Sequence, residues 1–335
     1  MNGIDQAARA KDRHLTDLLA RPNVVGVGVG LRQRRGAVRD EVCIVTLVRR
    51  KRARTALAPE ALVPAELDGV AVDVVEVGDL RAQADRTARH RPALGGISLG
   101  HFQITAGTFG GVVRDGVSGT RLILSNNHVL ANGNAAAVED PILQPGPVDG
   151  GREESDTLAL LERFVPIEFN REPADCGIAK FVVDAGNFLA GAVGSKHRLE
   201  AYQEDPQATN RVDAAVARPI IDAEVSDEIL EIGRVTGTTP AVLGMAVRKS
   251  GRTTGLTTGQ ITIIETTVDV DYGGRTARFE GQLISGSMSQ PGDSGSLLVS
   301  GTSLQAVGLL FAGSTQATIY NPIADVLDAL AVEMP

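Results

Sequence analysis

Along the first 80 residues the apolar positions switch from a helical spacing to a strand-like one. Ala7, Ala8, Leu15, Leu18 and Leu19 fall broadly on one face and predict a helix over residues 4–21. Residues 24–30, 41–48 and 70–77 are runs rich in Val, Ile and Thr, which suit a half-buried pleated surface and predict three strands. Residues 57–69, with two prolines, predict a turn or short helix. Residues 1–80 therefore read as a small α+β unit. Residues 81–95, rich in Arg and Ala with no period, read as a linker. From residue 96 the pattern changes again, to short apolar runs separated by Gly, Asn, Asp and Thr. Residues 110–113, 121–124, 241–247, 260–267, 297–299 and 306–311 are such runs, and they predict a mainly β domain over 96–335, a barrel or a sandwich. Residues 174–202 return to helical spacing and predict a helical insertion. Asn321-Pro322 reads as an N-cap followed by proline at the first helical position, so the chain should close on a helix.

Composition changes this picture little. At 335 residues the chain can build one large or two modest cores. It has no Trp and only 3% aromatic residues, so Val, Leu, Ile and Ala must fill those cores. A net charge of −8 argues against a general nucleic-acid binder. The local run Arg49-Arg50-Lys51-Arg52-Ala53-Arg54 reads as a solvated strand end. The first 14 residues hold no apolar run of signal-peptide length, and no segment reaches the apolar length of a bilayer span. Five scattered His and two distant Cys give no metal-ligand spacing, so neither metal nor cofactor is expected.

The candidate chemistry concentrates in Pro291-Gly292-Asp293-Ser294-Gly295-Ser296, a serine in a glycine-flanked turn followed by an apolar strand. In such a turn the N–H groups of Gly292 and Ser294 can converge where a carbonyl oxygen would become an oxyanion. Taken alone, the motif is equally an ordinary hairpin turn. A serine hydroxyl needs an adjacent base, and imidazole titrates near working pH. Leu122-Ile-Leu-Ser-Asn-Asn-His128 is an apolar strand delivering one histidine at its end. The other four histidines fall elsewhere: His14 in the N-terminal helix, His90 in the linker, His197 at the insertion, and His101 at a strand start where it could at most line a cleft. Two aspartates could orient the base. Asp213 opens a short Ala/Val run ended by Pro219, as a strand entry would. Asp175 follows Arg171-Glu172-Pro173 and precedes helix-period residues, the signature of a helix N-cap. Asp213 is preferred, with Asp175 the lesser alternative.

The order His128, Asp213, Ser294 and the GDSGS turn resemble the trypsin/chymotrypsin-like serine peptidases. Val247-Arg-Lys-Ser-Gly-Arg-Thr-Thr-Gly-Leu-Thr-Thr-Gly-Gln-Ile261 resembles the segment before the nucleophile in their secreted bacterial members. A narrower resemblance, to bacterial relatives of the plant narrow-leaf-type serine proteases, rests on three segments. They are Asn23-Val-Val-Gly-Val-Gly-Val-Gly30, Leu124-Ser-Asn-Asn-His-Val-Leu-Ala-Asn132 and Gly308-Leu-Leu-Phe-Ala-Gly-Ser314. It also places the catalytic aspartate in an Asn-x-Val-Asp-Ala-Ala stretch, matched by Asn210 to Ala215.

What the resemblance implies is a chymotrypsin-like double β-barrel carrying a C-terminal helix. It implies a serine endopeptidase with an acyl-enzyme on Ser294, His128 as general base, Asp213 orienting it, and Gly292 and Ser294 as the oxyanion hole. The substrate would be a protein or peptide, and a homo-oligomer is compatible with the likeness. Met288, six residues before the nucleophile, falls at the base of the primary pocket. With Ser289, Phe311 and Gly313 it leaves an apolar or small pocket, without an acidic counter-charge for Arg or Lys. Where secreted members carry cystines, this chain has Val129, Arg248 and Thr258. Cys43 and Cys176 are accordingly expected as two buried free thiols in a reducing compartment, the cytoplasm. Ala93-Leu94-Gly95-Gly96-Ile97 does not resemble an activation sequence, so no N-terminal trimming is expected. A second class of function remains: a catalytically silent scaffold that binds peptide segments of partner proteins. The complete His, Asp and Ser set argues against it. An α/β-hydrolase esterase fails on triad order and on the missing last glycine of G-x-S-x-G.

Overall fold

Val-rich runs with small residues opposite them build the first of two compact units, Met1–Ala84 and Asp85–Pro335. The computed structural model describes residues 3–34, 37–78, 80, 85–174 and 176–335. In the first unit a helix, Gly3–Leu19, lies on a four-stranded sheet. Strand Val24–Arg34 runs antiparallel to Ala37–Val48, which pairs in parallel with Val70–Glu76; Glu66–Leu67 completes the edge. Ala7 and Ala10 let the helix approach closely, and with Leu18 they bury against Ile44, Val70 and Val72. Leu19, expected on that face, is 46% exposed. Ala10 takes its place, because the buried stripe runs along positions 7, 10 and 18.

The linker expected through residue 95 ends earlier, since Asp85 onward belongs to the second unit. Arginines tie this segment down. Arg86 donates to Gly96 O at 2.8 Å and Ser250 Oγ at 2.7 Å, and Arg91 pairs with Glu224 at 2.9 Å.

The second unit is mainly β and consists of two rolled sheets. In the first, strands Gly111–Asp115, Arg121–Ser125, Ala215–Pro219, Thr157–Phe164, Pro141–Leu143 and Ser98–His101 follow one another in hydrogen-bonded order. The ring closes where Phe109 N–H donates to Ile97 O (2.9 Å) and Gly96 N–H to Phe109 O (2.7 Å). In the second, Thr276–Gly286, Gly255–Asp271, Ala246–Gly251, Leu297–Ser300, Ala306–Gly313 and Ala317–Pro322 are joined in that order. The last strand pairs back with the first, as Leu283 with Tyr320 and Ser285 with Thr318, so no edge is left in this ring. This is the double β-barrel expected for the domain.

Leu124, Val212, Leu297, Val299 and Leu309 meet between the barrels, together with Ile323, Val326 and Leu330 of the C-terminal helix. That helix, Ile323–Leu330, begins after Pro322 with no side-chain cap. Asn321 is not the cap, because its side chain is drawn inward to the site described next. The strand expected at 241–247 forms only from Ala246, to Gly251.

The insertion holds a helix, Gly177–Ala192, between the paired strands Arg171–Pro173 and Tyr202–Glu204. Cys176 Sγ caps it by accepting from Ala179 N–H at 3.3 Å. Cys176 is exposed, which corrects the expectation of two buried thiols; Cys43 alone is buried, and neither is bridged. Asp175 lies outside the described residues. Among those residues no helix is long and apolar enough to cross a membrane, and no cluster of His, Cys, Asp or Glu could hold a metal.

Candidate active site

Strand Arg121–Ser125 is apolar along its length and ends inside the barrel seam, so the turn after it, Asn127–Leu130, presents His128 at the barrel mouth. Its imidazole is 25% exposed, whereas the Asp213 carboxylate beneath it is wholly buried. Nδ1 of His128 donates to Asp213 Oδ2 at 2.5 Å, and the His128 backbone N–H reaches Oδ1 at 3.3 Å. That bond leaves Nε2 on the open side as the acceptor.

The Asp213 backbone is fixed from both sides by asparagines. Asn126 Nδ2 donates to its carbonyl at 2.7 Å, and its own N–H donates to Asn321 Oδ1 at 3.0 Å. Asn321 is set in turn by donating to Gln282 Oε1 at 2.7 Å. A further donor comes from the second barrel, where the Tyr272 hydroxyl bonds to Asp213 Oδ2 at 2.8 Å. Burial first, then the Asp213 charge, push the Tyr272 phenol well above its ordinary value, so it stays a donor. The sequence marks none of Tyr272, Asn321 and Asn126 as site residues, and reads Asn321 only as a helix cap. Asn126 and Asn321 stood inside quoted motifs, but nothing local to Tyr272 announces its contact.

The nucleophile turn packs against the same seam. Gly295 has φ +93°, and a side chain there would run into Ser125 Oγ and the Thr108 carbonyl. Thr108 N–H donates to Ser294 O at 2.8 Å, and Thr108 Oγ1 to Gly292 O at 2.8 Å. A Cβ on Gly107 would press on both Val129, the neighbour of His128, and Ser294 O. The turn that carries His128 and the turn that carries Ser294 thus both pack against one glycine. The Ser294 hydroxyl is not hydrogen-bonded to the imidazole here, an alignment that in serine hydrolases commonly tightens only with substrate bound. Gly292 has φ +95°. Neither the Gly292 N–H nor the Ser294 N–H donates to any described group, while those of Asp293, Gly295 and Ser296 all do.

Asp293 faces inward and is wholly buried beside Lys249, which is wholly buried too, at 2.9 Å. Its carboxylate also accepts from Thr253 N–H (2.9 Å), Thr254 N–H (3.1 Å), Thr254 Oγ1 (2.6 Å) and Gln290 N–H (3.0 Å). Burial pushes this carboxyl up, but the Lys249 charge and the hydrogen bonds outweigh it and hold it below its ordinary value.

Beside Ser294 opens a cleft of about 780 Å³ whose lining includes Thr257, Met288, Ser289, Leu310, Ala312 and Gly313, and no charged residue. Met288, Ser289 and Gly313 line it, and Met288, 4% exposed, also packs into the core with Val247, Leu283 and Tyr320. Phe311 does not line the cleft: it is 3% exposed and packs on Phe279, Ala277 and Ile167. The strand's register shifts between Leu310 and Ala312, which line the cleft, and Phe311 between them packs into the core instead. His101 is also excluded from the cleft, buried and bonded to Asp140 at 3.0 Å.

No family model matches the chain. It is similar to two curated serine proteases over part of its length. Streptogrisin-A of Streptomyces griseus is 35% identical over 94 residues, 27% of this chain and 30% of that protein. Serine protease 2 of Streptomyces fradiae is 39% identical over 85 residues, 24% of this chain and 43% of that protein. The chain therefore spans less than half the length of either curated relative. Among solved structures, Nocardiopsis protease is 19% identical with a TM-score of 0.45, covering 72% of this chain and 97% of that one. A glutamic-acid-specific serine protease is 17% identical with a TM-score of 0.46, covering 72% of this chain and all of that one. The resemblance to chymotrypsin-type serine proteases is thus met again in the relatives, whereas the narrower one to narrow-leaf-type enzymes is not among them.

Proposed function

We propose that the chain is a serine endopeptidase that acylates Ser294. The observation that carries this reading is an open imidazole backed by a buried carboxylate, in a domain where the serine turn keeps two N–H groups that donate to no described group. His128 Nε2 takes the Ser294 proton as Oγ attacks the scissile carbonyl. The N–H groups of Gly292 and Ser294 receive the oxyanion, each such donor contributing on the order of 2.7–4 kcal/mol in the transition state. His128 then returns the proton to the leaving amine and activates water for deacylation. Asp213, not Asp175, orients the imidazole. The neutral cleft supports small or apolar side chains at the primary position, with Met288 at its base.

Activity needs no trimmed N-terminus in this reading, because Lys249 supplies the internal ammonium that holds Asp293 and shapes the oxyanion turn. Val129, Arg248 and Thr258, standing where secreted members carry cystines, favour a reducing compartment, the cytoplasm. The kinship to narrow-leaf-type relatives remains part of the proposal and rests on the three segments quoted above.

Labelling with a fluorophosphonate probe, followed by casein or peptide turnover, tests the reading. Labelling of wild type but not of Ser294→Ala, with peptide cleavage, is expected. Absence of labelling in folded wild type would leave the silent peptide-binding scaffold instead. Intact-mass analysis of the labelled chain checks the maturation claim; a label found only on chains starting near residue 96 would make it a zymogen.

A further inference from the structure

We infer that Tyr272, carried across from the second barrel on its longest hairpin, is a positioning residue that holds the Asp213 carboxylate against His128. This deepens the peptidase reading and rests on it.

The hairpin Gly255–Asp271/Thr276–Gly286 extends well beyond the length needed to close its barrel. Its tip is fixed: Tyr272 N–H donates to Arg275 O at 2.7 Å, and Gly274 N–H to Asp271 Oδ1 at 2.9 Å. The Tyr272 ring stands edge-on to His128 with centroids 5.8 Å apart, and edge-on to Phe169 at 5.8 Å. The Arg275 guanidinium lies 4.0 Å over the Phe169 ring, so the base of the helical insertion braces the tyrosine. The phenol then ends 2.8 Å from the same Oδ2 that takes the imidazole proton bond.

Asp213 is wholly buried, so water cannot replace a donor removed from it. Among the described residues its other oxygen, Oδ1, meets only the weaker 3.3 Å contact from the His128 backbone N–H. Among the described residues the Tyr272 hydroxyl is therefore the one side-chain donor, besides the imidazole, that sets the rotation of the carboxylate. Without it the carboxylate can turn, and Nε2 loses its aim at Ser294. The aromatic bulk also keeps the His–Asp bond dry, which strengthens it.

The test compares Tyr272→Phe, which keeps the ring and removes only the hydroxyl, with Phe169→Leu, which loosens the brace and keeps the hydroxyl. Tyr272→Phe should lose about 10- to 100-fold in kcat, the scale of a hydrogen bond to a charged group, with KM within about twofold. Phe169→Leu should lose less, in the same parameter. A thermal melt confirms that both remain folded. Proton NMR of the imidazole Nδ1–H supplies a readout independent of turnover, and its far-downfield resonance should shift or broaden in Tyr272→Phe. An unchanged resonance together with wild-type kcat would overturn the inference. If wild type neither labels with fluorophosphonate nor cleaves peptide, the peptidase reading fails. The resonance still decides whether Tyr272 holds Asp213: movement supports the contact, and no movement overturns it.

Discussion

Asp213 and Asp293 are both wholly buried, and each holds a basic side chain, yet the two pairs are built for opposite ends. Lys249 is sealed along with its aspartate and sits in a cage of threonine and backbone donors, with no exposed atom to offer a substrate. His128 keeps a quarter of its side chain open above a sealed aspartate. The first arrangement can only hold a backbone in shape. The second can take a proton on one side while its charge is balanced on the other. Burial of the base, rather than of the acid, separates a structural pair from a chemical one.

Substitutions at the chemical pair should be the most drastic for activity and the least for stability. Ser294→Ala and His128→Ala should each cut peptide turnover by about 10⁶-fold, measured under saturating substrate, with melting temperatures near wild type. Full activity in either would refute the chemical role. Asp213→Asn should follow with a loss of about 10⁴-fold, because the amide favours the wrong imidazole tautomer. Asp175→Asn should leave turnover close to wild type, and the reverse outcome would transfer the orienting role to residue 175.

The structural pair should show the opposite signature. Lys249→Met leaves Asp293 charged without its counter-ion and should cost about 3–5 kcal/mol in denaturant unfolding, with turnover falling as the oxyanion turn loosens. Lys249→Met combined with Asp293→Asn should regain part of that stability without regaining turnover. If turnover returned, Asp293 would be dispensable for the oxyanion turn.

A pH titration of thermal unfolding sharpens the same contrast. Asp293 is held below its ordinary carboxylate value. Its contribution is therefore full above about pH 4 and is lost as pH falls through the lower folded value. Wild type should lose stability in that acid range more steeply than the Lys249→Met/Asp293→Asn variant. The smallest effect belongs to Cys176→Ala, which removes a helix cap on the exposed insertion. It should change stability by less than about 0.5 kcal/mol, with no effect on kcat.

Much of the site was legible because its demands are local. A serine between Gly292 and Gly295 needs positive φ on both sides, and only glycine supplies that without strain, so the requirement is written into adjacent letters. An apolar strand ending in His128 is likewise a short-range pattern. Where the reading failed, a distant partner had won. Asn321 has the form of a helix cap, but the buried N–H of Asp213, 108 positions earlier in the chain, claims its side chain. Phe311 reads as pocket wall by its position relative to the motif, but it packs on Ile167, Ala277 and Phe279 at a shift in the strand register.

The sequence by itself determined the mainly β architecture and pointed to His128, Ser294 and the glycine turn as candidates, since each pattern depends on residues within a few positions of one another. Only the closed barrels decided what holds the two aspartates. Lys249 and Asp293 are 44 positions apart, and Tyr272 and Asp213 are 59. A hydrogen bond across such a distance has no local pattern. It exists only once strand pairing has fixed both backbones and excluded the water that would otherwise satisfy each group.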